Sequence, residues 1–255
     1  EGYFQMAKVW VETLRRQGLV FPAGAWAEAG RPADAELMAR STVSDFDRTT
    51  ARIRVDLLIH RWPFDDAAGP GSFHPANELE ALAYRYIQGR IPWSEARYAL
   101  AGQYAEKGDF AAARNECLAV AKVLPFSYQP LLRVADYYRS EGDNAGAKAA
   151  YRRCLEVEDN PFARMKLAIM FLEERNPAEA AQEIERGLDL GSRGHDAMTP
   201  SAIATARYML GVAYAQLGKF GDARTSLERA LAIDANLHEA RDLLRRLPRT
   251  GTPGD

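Results

Sequence analysis

An aromatic residue returns in the same local setting four times, at Tyr104, Tyr138, Phe171 and Tyr214, and this recurrence constrains the fold most. The first two settings read Leu100-Ala101-x-x-Tyr104-x-x-x-Gly108-Asp109-Phe110-x-x-Ala113 and Val134-Ala135-x-x-Tyr138-x-x-x-Gly142-Asp143-x-x-x-Ala147. Leu167-Ala168-x-x-Phe171 follows with Ala180, then Leu210-Gly211-x-x-Tyr214-x-x-x-Gly218-Lys219-Phe220-x-x-Ala223. Tyr104 to Tyr138 is 34 residues and Tyr138 to Phe171 is 33, a period that marks a repeat architecture. Phe171 to Tyr214 is 43, with the surplus between Leu190 and Pro200.

This pattern resembles the tetratricopeptide repeat. The resemblance implies two antiparallel helices per unit, which bury their apolar stripes only by stacking on neighbouring units. Ala101, Ala135, Ala168 and Gly211 fall where first helices pack closely, and Ala113, Ala147, Ala180 and Ala223 do so on second helices. The recurring aromatic fills the gap between paired helices. Gly108, Gly142 and Gly218 end the first helices, where a left-handed residue suits glycine. Arg175 holds that place in the third repeat, two residues before Pro177, so a differently built turn is expected there. The expected fold is all-α: a right-handed solenoid of four repeats with an N-terminal helical extension and a C-terminal capping helix from Leu237 to Leu247. The chain divides into 1–18, a terminal helix; 19–91, a helical linker region; 92–247, the repeats; and 248–255, a flexible tail.

Ahead of the repeats, Phe4 to Arg16 reads as an amphipathic helix with Phe4, Ala7, Trp10, Val11 and Leu14 on one face, stopped by Gly18. Residues 19–33 read as an extended connection. Ser44 is the N-cap of a second helix through Ile59 carrying Phe46, Ile53, Leu57 and Leu58, ended by Trp62-Pro63-Phe64. Asp65 to Pro75 reads as a loop. A third helix, from Ala76 to about Gln88, carries Leu79, Leu82, Ala83 and Tyr86. Pro92 and Ser94 open the first repeat.

A net charge of −2 and a pI near 6.2 argue against nucleic acid or an anionic membrane as the main partner. No 18-residue apolar run and no signal-peptide pattern is present, and the compartment stays open between cytoplasm and periplasm. Cys117 and Cys154 occupy inward positions of second helices and read as buried free thiols. Four histidines, His60, His74, His195 and His238, belong to no catalytic pattern. There is no Gly-x-Ser-x-Gly, His-Glu-x-x-His, Cys-x-x-Cys or phosphate-binding Gly-Lys-Ser/Thr. His195-Asp196 lack further ligands for a metal. No catalytic residue, cofactor or metal is expected in this chain.

Gly2-Tyr3-Phe4-Gln5-Met6-Ala7 resembles the segment after the catalytic Asp-x-x-His of SGNH/GDSL-type hydrolases. There a His-Pro-…-Gly-Tyr-x-x-Met-Ala run leads into the last helix of the catalytic domain. Asp56-Leu57-Leu58-Ile59-His60-Arg61-Trp62-Pro63-Phe64 is similar to a stretch in members that carry a C-terminal repeat region. The resemblance implies a bacterial source and the accessory part of such a hydrolase. The family's nucleophilic Ser, oxyanion Gly and Asn, and Asp-x-x-His would lie upstream of Glu1. Tyr3-Phe4-Gln5 also matches a protease-tag scar, which would make Met6 the native start.

In stacked repeats of this type the first helices line a groove. The facing positions are Glu95, Tyr98, Gly102 and Ala105, then Gln129, Leu132, Asp136 and Arg139. The third repeat offers Phe162, Met165, Ile169 and Leu172, and the fourth Thr205, Tyr208, Val212 and Ala215. The Lys and Asn of repeats that clamp the carboxylate of chaperone tails are absent. Instead Leu132, Met165, Ile169, Leu172, Tyr208 and Val212 form an apolar stripe, joined at the binding surface by Tyr98, Asp136 and Arg139. Such a stripe needs cover. The expected partner is a protein: an amphipathic helix or apolar peptide in the groove. The alternatives are residues 19–91 folding back into it, repeats that shape access to an upstream esterase or acyl-hydrolase site, or a structural spacer.

Overall fold

The computed structural model describes residues 2–17, 43–59, 73–192 and 197–248. Among them there are helices and short turns and no strand. They belong to two units, Glu1–Asp45 and Phe46–Asp255. Gly18, the 19–33 connection, Trp62-Pro63-Phe64, most of the Asp65–Pro75 loop and the Thr250–Asp255 tail lie outside the described residues.

The first unit holds α1, Gly2–Arg16. Its Met6, Val9, Trp10 and Val11 are exposed, so the helix presents apolar side chains to solvent.

In the second unit, α2 (Asp45–Ile59) begins directly after Ser44 and α3 spans Glu78–Ile87. Phe46 and Ile53 are fully buried, whereas Leu58, expected on the same face, is 57% exposed. Phe46, Ile53 and Leu57 share one stripe, and each further residue turns about 100° around a helix. That rotation carries Leu58 off the stripe. α3 starts two residues later than the expected Ala76. The Asn77 side chain accepts from the Glu80 amide at 2.9 Å, and the Glu80 carboxylate accepts from the Ala76 N–H at 2.8 Å. This reciprocal cap fixes the first helical residue at Glu78.

The four repeats follow as helical hairpins: α4 (Trp93–Glu106) with α5 (Phe110–Val123), and α6 (Gln129–Glu141) with α7 (Asn144–Val157). Next come α8 (Pro161–Glu173) with α9 (Pro177–Gly191), and α10 (Pro200–Gln216) with α11 (Phe220–Ile233). α12, His238–Arg246, closes the series. Each hairpin packs on the next, which makes a solenoid. All eight small residues singled out by the period are buried. Alanine or glycine at those points lets helix axes approach without displacing a neighbour.

The turns within hairpins are alike. Gly108, Gly142 and Gly218 have φ of 78°, 88° and 74°, and Arg175 has φ 59°. In each, the next amide donates to the carbonyl of the recurring aromatic. Asp109 N–H reaches Tyr104 O at 2.9 Å, Asp143 reaches Tyr138 at 2.9 Å, Asn176 reaches Phe171 at 2.8 Å, and Lys219 reaches Tyr214 at 2.9 Å. The differently built turn expected at Arg175 is therefore corrected. The closing hydrogen bonds satisfy the end of α8 and hold a side-chain-bearing residue left-handed.

The head of the stack is a core of Phe46, Ile53, Leu82, Ala83, Ala96 and Leu100. Arg97 is fully buried there. Its guanidinium donates to Glu116 at 2.6 Å and also to Asp47, and it lies 4.7 Å from the Trp93 ring centroid. One side chain thus ties α2 to both helices of the first hairpin. At the other end Ala240 and Leu247 pack with Leu227 and Ala230. Cys117 and Cys154 are buried and free. Burial pushes both thiols up to about 12.

Candidate partner-binding groove

The first helices, α4, α6, α8 and α10, present the positions picked out by the period on one side. None of these residues is buried. Glu95, Gln129 and Phe162, in the first turns, and Thr205, in the second turn of α10, are exposed, and the rest are half-buried. The alanines at 101, 135 and 168 on the same helices have no exposure. One helix face serves the stack and the other meets solvent.

Leu132, Met165, Ile169, Leu172, Tyr208 and Val212 are half-buried, each with part of its apolar surface left open. Leu132 packs on the central core, and Met165 and Leu172 on the next. The Met165 methyl lies over Gly187, 2.4 Å from where a Cβ would stand. Tyr98 sits under the Arg133 guanidinium, 4.4 Å from its ring centroid.

Asp136 and Arg139 are engaged with the next first helix. Asp136 pairs with Lys166 at 3.0 Å and accepts from the Tyr151 hydroxyl at 2.5 Å. Burial, then that carboxylate, pushes the Tyr151 phenol strongly up. Arg139 pairs with Glu173 at 2.5 Å. The Asp136 and Arg139 charges on α6 are thus matched by charges on α8. Lys166 and Glu173 were not among the sequence candidates. The signal is faint, because they sit beside the facing positions rather than on them.

Tyr208 and Val212 are brought together in a cleft of about 570 Å³. Ala215 and Gln216 of α10 also line it, facing Glu239, Asp242, Leu243 and Arg246 of α12. These α12 residues read from sequence only as a polar cap. Their register says more: Glu239, Asp242 and Arg246 stand 34 residues after Thr205, Tyr208 and Val212. α12 therefore stands in the register of a first helix, and through the cleft it continues the surface of the preceding first helices.

Among the described residues no cluster of three His, Cys, Asp or Glu forms a metal site, and no helix is long and apolar enough to cross a membrane. His74 and His238 are exposed. His60 and His195-Asp196 lie outside the described residues.

The tetratricopeptide repeat family models match residues 132–195 and 204–237, the second to fourth hairpins. Among solved structures, PilF of Pseudomonas aeruginosa is similar at 21% identity, over 62% of this chain and 70% of that one, with a TM-score of 0.50. Residues 41 to the end of MamA from Desulfovibrio magneticus RS-1 are similar at 16% identity, over 60% and 82%, also with a TM-score of 0.50. At these identities the likeness shows the fold alone. No curated protein sequence matches the chain. The chain carries tetratricopeptide repeats, and its solenoid is of that kind.

Proposed function

We propose that this chain is a protein–protein interaction module that holds an apolar or amphipathic helical segment in its groove. The observation that carries this reading is the groove centre. Half-buried Leu132, Met165, Ile169, Leu172, Tyr208 and Val212 occupy consecutive first helices, while the charges among them neutralise one another. Such a surface gains from covering apolar area and offers little to a highly charged guest.

The test is a fluorescence-anisotropy titration with a labelled helical peptide of roughly 16 residues bearing a Leu/Ala face, a length that spans several repeats. Saturable binding by the native chain, lost in a Met165→Glu/Ile169→Glu variant with unchanged circular dichroism, supports the groove. Equal binding by both chains, or none, overturns it and leaves the repeats as a spacer.

A second reading makes the chain the accessory part of an SGNH/GDSL-type hydrolase, with the repeats orienting it or shaping access to an ester or acyl-carbohydrate site. The resemblance at Gly2 to Ala7 supports it, together with the exposed Met6, Val9, Trp10 and Val11 of α1, an apolar face suited to packing on a further domain. A reading frame continuing upstream of Glu1 through Gly-Asp-Ser and Asp-x-x-His motifs agrees with this. A start codon at Met6 sinks it.

A further inference from the structure

Resting on the groove reading, we infer that the guest segment places a lysine or arginine against Glu239, at the end of the groove walled by α12. Between the second and third repeats the groove charges are matched across neighbouring first helices, Asp136 with Lys166 and Arg139 with Glu173. The fourth repeat breaks this ladder. The groove positions of α10 are Thr205, Tyr208, Val212, Ala215 and Gln216, none of them charged. Across from them α12 brings Glu239 and Asp242 to the cleft. Among the described residues Glu239 has no ionic partner. Asp242 meets only Arg245 of its own helix, at 3.6 Å with both side chains more than half exposed. Arg246 stands two turns from Glu239, about 10 Å along the axis, too far to neutralise it.

The floor beside these carboxylates is apolar, formed by Val212, Ala215, Leu243 and the Tyr208 ring. The cleft therefore suits an apolar side chain flanked by a cation, at the Glu239 end rather than the Arg246 end. The charge that Lys166 and Glu173 supply between the second and third repeats is supplied here by the guest.

The experiment uses two labelled peptides with the same Leu/Ala face, one ending in two lysines and the other in two glutamates, titrated at low salt. The native chain is expected to prefer the lysine peptide by about threefold, within the range of an exposed ion pair. Glu239→Gln removes the preference and Glu239→Lys reverses it, and circular dichroism confirms that both variants stay folded. Carbodiimide coupling of the lysine peptide, mapped by mass spectrometry, falls on Glu239. Equal affinity of the two peptides for the native chain, or a preference that survives Glu239→Gln, overturns the inference while the groove stands. Failure of both peptides to bind overturns the inference and the groove together.

Discussion

Arg164 and Glu183 stand 19 positions apart on the two helices of the third hairpin and meet at 2.6 Å, the separation and distance at which Arg97 meets Glu116 in the first. The second hairpin puts Leu131 and Ala150 at these places, both buried, and the fourth puts Arg207 and Ser226. One pair of positions thus holds an ion pair twice, an apolar pair once, and an arginine whose acid has become serine.

Glu116→Ala is expected to lower stability by about 1–3 kcal/mol, because it leaves one donor of the buried Arg97 guanidinium unpaired while Asp47 still holds another. Ser226→Glu, which restores the acid facing half-buried Arg207, is expected to raise it by about 1 kcal/mol. Urea unfolding of the two variants beside the native chain checks both. A loss in Ser226→Glu would show that Arg207 does not reach the new carboxylate.

Arg175 carries the left-handed turn that glycine carries in the other hairpins. Arg175→Gly is expected to stabilise by roughly 0.5–1 kcal/mol, the relief of left-handed strain less the entropy glycine adds to the unfolded chain. Thermal unfolding reads it directly, and an unchanged or lower Tm refutes it.

Two helical glycines should answer alanine in opposite directions. At Gly211 a Cβ would stand 2.7 Å from Leu227 Cγ and 3.3 Å from the Ala223 carbonyl, and Leu227 is fully buried. Overpacking outweighs helix propensity there, at a net cost of about 1 kcal/mol. At Gly187 only the flexible end of Met165 is in the way, so Gly187→Ala is expected to gain up to about 1 kcal/mol. The opposed signs of the two Tm shifts are the measurement.

The buried thiols make the fold sensitive to alkali. Cys117 and Cys154 are raised from 9.0 to about 12, so the unfolded chain loses these protons first. Their stability contribution is whole below pH 9 and falls as pH rises toward 12, by about 1.4 kcal/mol per pH unit for each thiol. Cys117→Ala/Cys154→Ala should start less stable but lose stability more slowly over that window in urea titrations. Parallel curves would contradict this.

The hairpins and their small residues were legible because a fixed period reports contacts that recur at fixed local distances. Ala101, Ala135 and Ala168 needed no knowledge of the rest of the chain. The Arg97 cluster was not legible, since it joins Asp47 to Glu116 across a segment without any repeat. The turn at Arg175 misled because backbone hydrogen bonds, rather than the residue type, define it. Leu58 failed for want of one angular step. The groove role of α12 was readable by adding 34 to Thr205, Tyr208 and Val212, yet its charged residues looked like a solvated end.

Among the described residues α12 packs chiefly on α10 and α11. A helix held by less packing opens at a lower free energy than helices packed on both sides. Each opening of α12 takes away one wall of the cleft and leaves Tyr208 and Val212 facing solvent. On the proposed reading, the affinity of a guest that bridges α10 and α12 includes the work of holding that helix down. Opening of α12 and release of that guest are then one equilibrium, and amide exchange in α12 is expected to slow as the peptide saturates.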